Sequence, residues 1–98
     1  MTTIDVVAIL KAKSGSETIV EEGLTALAAP SRQEEGCLSY ELYVSTAEPG
    51  TFVTVEQWQS QADLDAHMAT PHLAAAIASG AEHFADAPVI HVLRHLES

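Results

Sequence analysis

The segment that decides the fold runs from residue 51 to residue 72 and reads TFVTVEQWQSQADLDAHMATPH. Residues 51–59 predict a β-strand, because β-branched and aromatic residues dominate them. Residues 60–68 and 70–84 predict two helices, because Ser60 and Thr70 are good N-caps, Asp63 lies at N3 and Pro71 at N1. One strand end and two helix starts therefore follow each other within 22 residues.

On both sides of this segment the chain continues to alternate strands and helices. Residues 3–11 predict a strand, and Ser16 should cap a helix over 17–29 that Pro30 stops or kinks. Residues 31–35 could add a further turn, which Gly36 would end. Residues 37–46 should form a hairpin with residues 51–59, and residues 89–96 predict the last strand. The order β-α-β-β-α-β, with the second helical region split in two, predicts an α+β ferredoxin-like fold with a four-stranded antiparallel sheet.

Length and charge limit the class of partner. The 98 residues allow one domain, residues 1–98, whose small core a second subunit would stabilise. The formal net charge of −10 and the scattering of the four basic residues argue against nucleic acid and anionic membranes as partners. No apolar run approaches the roughly 20 residues that span a bilayer, and no signal peptide is visible. Cys37 is the only cysteine, which fits a cytoplasmic location.

The predicted strands are apolar on both faces. The first strand places Val6 and Ala8 on one face, but Val7 and Ile9 on the other. Helices cover only one face, and at about 25 cal/mol per Å² a wet apolar face would forgo several kcal/mol. We therefore expect a homodimer in which the two sheets pack face to face.

Strand alternation places Phe52, Thr54, Glu56 and Trp58 on one face. If this face lies under the helices, Glu56 is a buried carboxylate that could act as an acid or base near neutral pH. Glu56 could instead be a structural group that hydrogen-bonds a histidine and orients a helix start. Trp58 could equally be a core residue or a wall for an aromatic ligand.

Two histidines follow at the junction of the predicted helices. His72 lies in the first turn of its helix, where the dipole favours the neutral form that accepts a proton. His67 lies near the end of the preceding helix, and either residue could instead hydrogen-bond across the junction. A metal site built from both histidines and Glu56 is not favoured, because no spacing such as His-Glu-x-x-His occurs.

The remaining candidate residues and motifs are weaker indications of a reaction. Tyr40 should lie on a buried face, where its hydroxyl could donate to a substrate oxygen or be satisfied by packing. Cys37 has no positive neighbour to activate it as a nucleophile. The five glycines form no G-x-G-x-x-G motif, which excludes a dinucleotide site of the Rossmann type.

The ordered set of motifs resembles the antibiotic biosynthesis monooxygenase family, in particular its small quinol monooxygenase-like members. The resemblance spans residues 6–96 and rests on Lys13-Ser14-Gly15, Glu35-Gly36-Cys37, Glu56-Gln57-Trp58, His67 and Thr70-Pro71-His72. It implies a dimeric α+β barrel with a pocket between each sheet and its own helices. It also implies oxygenation of a quinol, an anthrone or another electron-rich phenol without a flavin, metal or haem cofactor. The haem-degrading branch fits poorly, because it uses an asparagine and this chain contains none.

The residues and the resemblance together suggest a cofactor-independent monooxygenase that uses dioxygen and a small aromatic substrate. His72 or His67 would be the base, and Glu56 would orient it. The expected substrate-binding residues are Trp58, Phe52, Tyr40 and Thr54. The alternatives are a non-catalytic ligand-binding or stress-related protein of this fold, and an isomerase of a phosphorylated sugar signal, which the scarcity of basic residues disfavours.

Overall fold

A four-stranded antiparallel sheet carries helices on one face in this computed structural model, which describes residues 3–97. The strands lie in the order β2-β3-β1-β4. The elements are β1 (Ile4–Lys11), α1 (Glu17–Arg32), β2 (Cys37–Val44), β3 (Thr51–Trp58), α2 (Gln61–Met68), α3 (Pro71–Gly80), a 3-10 turn (Ala81–His83) and β4 (Val89–Leu93). This order confirms the predicted ferredoxin-like α+β class and the division of the second helical region. No helix in the described range is long and apolar enough to cross a membrane.

The ends of α1 and α3 differ from the sequence prediction. Pro30 does not stop α1, which continues to Arg32. The missing backbone N–H of Pro30 is tolerated because the last turn of the helix tightens into i to i+3 hydrogen bonds. One of these runs from the Gln33 N–H to the Pro30 carbonyl. α3 ends at Gly80 instead of residue 84, because Phe84 turns back to pair with Ala12 beyond the end of β1.

Two of the three proposed N-caps are confirmed by side-chain hydrogen bonds. The Ser60 hydroxyl accepts the Asp63 N–H, and the Thr70 hydroxyl accepts the Leu73 N–H. Ser16 lies at the N-cap of α1 but makes no such bond, since its hydroxyl pairs with Nδ1 of His83 at 3.1 Å. The last strand is also shorter than expected and ends at residue 93.

The register of the sheet places one set of side chains under the helices. Glu56 lies opposite both Val6 and Tyr40, and Thr54 lies opposite Ala8. These residues are buried against the apolar side of the helices. The buried helical partners are Val20, Leu24, Leu27, Ala28, Leu64 and Leu73. The face predicted to lie under the helices is therefore the inner face of the sheet.

The opposite face of the sheet is apolar and uncovered within the described chain. Val7, Ile9 and Val53 are partly exposed on it, and Tyr43 and Val55 are exposed. The β4 residues on the same face are exposed as well, and they are Val89, His91 and Leu93. A single copy of the chain therefore leaves apolar surface of the sheet in contact with water.

Gly36 permits the close approach of the turn after α1 to the start of α2. Its φ is +89°, and a Cβ built there would overlap the Asp63 carboxyl group. The Gly36 carbonyl accepts the Gln59 N–H at 2.8 Å, and the Asp63 carboxylate accepts the Ser60 hydroxyl at 2.9 Å. Only glycine satisfies both the backbone conformation and the lack of space.

Replacing Gly36 by alanine should cost more stability than the same change at Gly15. Gly15 also has a φ of +89°, but no atom lies within 4 Å of its added Cβ. We expect a loss of about 1–2 kcal/mol for Gly15→Ala from the backbone alone. Gly36→Ala should lose roughly 1–3 kcal/mol more through overpacking. Equal free energies of unfolding in urea for the two variants would contradict the role given to Asp63.

Candidate functional site

A cavity of about 480 Å³ lies between the inner face of the sheet and the helices. Five of its six polar lining side chains are concentrated beside the middle of β3 and the junction of α2 with α3, and they are Tyr40, Thr54, Glu56, His67 and His72. Leu10, Phe84 and Pro88 line a more apolar part, and the sixth polar lining residue, the exposed Ser79, lies near the end of α3. Because Glu56 pairs with Val6 and Phe84 with Ala12, the polar and apolar ends lie at opposite ends of β1. Four exposed apolar side chains, Ile19, Met68, Ile77 and Ile90, also line this cavity.

A carboxylate that the sequence analysis did not single out joins the two histidines. Oε2 of Glu34 lies 2.8 Å from Nδ1 of His67 and 2.6 Å from Nε2 of His72. Glu34 follows α1, His67 lies in the last turn of α2 and His72 in the first turn of α3. The cluster of these three residues, hereafter the Glu34 cluster, therefore links three helices at the polar end of the cavity.

His67 is the most enclosed member of the Glu34 cluster. Its side chain is 3% exposed, against 30% for His72. The Trp58 ring lies 4.5 Å from the His67 ring between centroids, and the Tyr40 ring contacts it edge-on at 6.0 Å. These rings hold the imidazole in one orientation in the cavity wall.

Trp58 and Phe52 lie behind the cavity wall and do not line it. Trp58 is completely buried, and its indole N–H donates to Oε1 of Glu56 at 2.9 Å. This corrects the expectation that both aromatic residues contact a bound ring. Trp58 supports His67 from behind, and the cavity takes its aromatic lining from Tyr40 and Phe84.

Glu56 lines the cavity but does not orient either histidine. Its Oε2 accepts the Thr54 hydroxyl at 2.7 Å, and its Oε1 accepts the Trp58 indole N–H. The carboxylate that hydrogen-bonds the two histidines is Glu34 and not Glu56. No local pattern pointed to Glu34, because it lies 33 and 38 positions from its two partners and beside another glutamate in a turn.

Burial raises the pKa of two further groups, Tyr40 and Cys37. Burial, and then the negative charge of Glu56, raise the pKa of Tyr40 well above its ordinary value, so its phenol stays protonated at neutral pH. Tyr40 therefore remains a hydrogen-bond donor in the cavity wall. Burial, and then Glu34 and Glu56, also raise the pKa of Cys37. This agrees with the interpretation of Cys37 as a packed thiol and not a nucleophile.

The Glu34 cluster contains the ligand types that transition metals prefer. One atom from each of its residues lies within 4.8 Å of the other two. The combination of His67 and His72 with Glu56, which the sequence analysis did not favour as a metal site, does not form, since Glu56 bonds elsewhere. The distances of 2.6 and 2.8 Å from Oε2 are hydrogen-bond lengths, so the three side chains also satisfy one another directly.

Comparisons with known proteins agree with this architecture. The family model described as "Antibiotic biosynthesis monooxygenase" matches residues 3–79. The Escherichia coli protein named "Probable quinol monooxygenase YgiN" is 41% identical in an alignment of 51 positions. The alignment covers 44% of this chain and 49% of that protein. Mycobacterium tuberculosis Rv0793 is 45% identical over 49 residues, which cover 50% of this chain and 48% of Rv0793. In these sequence matches the chain thus spans about half the length of each relative.

Solved structures match over nearly the whole chain. The structure of Rv0793 superposes with a TM-score of 0.92 at 29% identity and covers 99% of this chain and 98% of that one. A Pseudomonas aeruginosa protein superposes with a TM-score of 0.91 at 31% identity, with coverage of 98% and 96%. The likeness in fold therefore extends well beyond the stretches matched by sequence.

Stability should fall at alkaline pH partly because of Tyr40. Above pH of about 10 an unfolded tyrosine releases its proton, whereas the raised pKa keeps folded Tyr40 protonated, so the free energy of unfolding decreases as pH rises. We expect the free energy of unfolding of Tyr40→Phe to fall less steeply with pH than that of the wild type. The two slopes should differ by up to about 1.4 kcal/mol per pH unit. Identical slopes between pH 10 and 11.5 in urea unfolding would refute this assignment.

Proposed function

The chain belongs to the antibiotic biosynthesis monooxygenase family, and we propose that it oxidises a hydroxylated aromatic compound, such as a quinol or an anthrone, with dioxygen and no cofactor. The observation that carries the proposal is the cavity, with two imidazoles and a neutral phenol at one end and an apolar lining at the other. The name of the Escherichia coli relative supports the same class of substrate.

The reaction begins with removal of a proton from the substrate by an imidazole of His67 or His72. The resulting electron-rich anion passes one electron to dioxygen, the radical and superoxide combine into a peroxide anion, and the imidazolium returns its proton to that peroxide. For a reacting CH₂ group, loss of water from the peroxide leaves a carbonyl, so one oxygen atom enters the product and the other becomes water. The protein must orient the ring, exclude water and stabilise the developing charge.

The residues at the polar end of the cavity have distinct roles in this proposed reaction. Tyr40 donates a hydrogen bond to the substrate oxygen, because its phenol stays protonated. Glu56 and Thr54 form a bonded pair in the wall that binds the polar edge of the substrate. The apolar end keeps water from the reacting anion and from superoxide.

The size of the cavity favours a substrate larger than one ring. A volume of about 480 Å³ lies within the usual range of small-molecule pockets. From Val6 to Leu10, which both line it, β1 extends about 13 Å. Fused rings or a ring with an apolar tail would fill both ends, with the hydroxyl group at the polar end.

The alternative of a sugar-phosphate isomerase is not favoured by the cavity. No lysine or arginine is among its described lining residues, so no cation is available there to hold a phosphate. A non-catalytic ligand-binding role would use the same cavity, and only a turnover measurement separates it from the proposed reaction.

Two copies of the chain should pack through the uncovered face of the sheet. This face carries Val7, Ile9, Val53 and Val55, which are incompletely buried in one copy. Burying them would offset the repulsion between two chains of net charge −10. The proposal also treats residues 1–98 as one domain and places the protein in the cytoplasm, where its single cysteine stays reduced.

Oxygen consumption with a panel of quinols and anthrones, in metal-free buffer without added cofactor, tests the reaction. We expect uptake with at least one substrate, and a fall of about 10²–10⁴-fold when the histidine that acts as the base is replaced by alanine. His95→Ala, at an exposed position after β4 and outside the cavity lining, should keep the wild-type rate. Unchanged rates in both His67→Ala and His72→Ala would remove the histidine base, and tight binding without uptake would favour the non-catalytic alternative.

Sedimentation equilibrium tests the dimer. The wild type should be dimeric at micromolar concentration, and Val55→Glu should weaken association at least tenfold, because it places a carboxylate on each apolar face. Thr25→Glu adds the same charge on an exposed part of α1 and should leave the dimer intact. A monomeric wild type, or a Val55→Glu dimer of unchanged affinity, would contradict the proposed interface.

A further inference from the structure

The Glu34 cluster determines where the histidine protons lie. A single oxygen, Oε2, receives hydrogen bonds from Nδ1 of His67 and Nε2 of His72. An ionised carboxylate only accepts hydrogen bonds, so each nitrogen that faces it must carry a proton. In their neutral forms the two imidazoles are therefore held in opposite tautomers, with the lone pair on Nε2 of His67 and on Nδ1 of His72.

The two free nitrogens are not equivalent. His67 is enclosed by the Trp58 and Tyr40 rings, whereas the side chain of His72 is 30% exposed. No side chain or backbone group among residues 3–97 hydrogen-bonds to Nε2 of His67, although this residue lines the cavity. The fixed ring and unpaired nitrogen make His67 the better acceptor for a proton from a bound ligand.

Glu34 also compensates the charge that proton transfer creates. When Nε2 of His67 takes a proton, the imidazolium keeps its Nδ1–H bond to the carboxylate at 2.8 Å. His72 holds the same oxygen from the other side at 2.6 Å, so the carboxylate cannot turn away from His67 without breaking a second bond.

We propose that Glu34 is a positioning residue that fixes the tautomer of His67, so that Nε2 of His67 accepts the substrate proton while His72 holds Glu34 in place. The catalytic part of this inference rests on the proposed function, whereas the tautomer assignment rests on the contacts alone. The two parts therefore fail under different experiments.

Long-range ¹H–¹⁵N correlation spectra of protein labelled at histidine nitrogens test the tautomers. In the wild type at neutral pH we expect the proton of His67 on Nδ1 and that of His72 on Nε2. Single His→Gln variants at the five histidines assign the signals. A proton on Nε2 of His67 would overturn the proposal. A metal cation bound at Nδ1 would also force the proton onto Nε2, so it would overturn the proposal in the same way.

The matched variants are Glu34→Gln and Glu35→Gln, which remove the same charge from neighbouring positions. Glu35 is exposed and makes no contact with the cluster among the described hydrogen bonds and ion pairs. Glu34→Gln should populate both tautomers of His67, because a carboxamide presents both a donor and an acceptor. Glu35→Gln should keep the wild-type spectrum. A wild-type spectrum in Glu34→Gln would refute the fixing role.

Kinetics with an active phenol separate the two parts. Glu34→Gln should lower kcat by about 10- to 100-fold and change KM by less than about threefold, because proton transfer is impaired and the cavity is intact. Unchanged kcat in this variant would refute the catalytic part while the monooxygenase proposal stands. Wild-type protein with the expected tautomers but no oxygen uptake from any phenol would refute the proposed reaction and leave the tautomer assignment intact.

Discussion

Two hydrogen bonds to one oxygen of Glu34 connect the fold of this protein to its candidate chemistry. They join the turn after α1 to His67 on α2 and His72 on α3. The turn reaches α2 because Gly36 leaves room for the Asp63 carboxyl group at the start of that helix. The lack of a side chain at Gly36 therefore lets the turn that carries Glu34 approach the helix that carries His67.

Two carboxylates at or beside the polar end of the cavity are in different situations. Glu56 accepts hydrogen bonds from a hydroxyl and an indole, and it adds to burial, the larger cause, in raising the pKa of Tyr40. Glu34 is bonded to two imidazoles, so its hydrogen bonds bear directly on where protons lie. The polar end thus provides a donor, an acceptor and a compensating charge, and the apolar end provides space for a ring system.

The sequence predicted the elements well because their signals are local. Strand alternation in β3 and the caps at Ser60 and Thr70 need only neighbouring residues, and the structure reproduces them. The role of Glu34 was missed because a contact across 33 positions leaves no periodic signal. Trp58 was assigned to the right face but to the wrong layer, since alternation gives the side of a sheet and not the depth at which a side chain packs.

A crystal structure with a bound, non-oxidisable hydroxyarene would test the assignment of His67 as the proton acceptor. We expect the ligand hydroxyl within about 2.6–3.2 Å of Nε2 of His67. We also expect that Nδ1 of His67 remains hydrogen-bonded to Glu34 and that the rings of the ligand extend towards Phe84. A hydroxyl group at the Phe84 end of the cavity, or a His67 ring that leaves Glu34 when the ligand binds, would contradict this assignment.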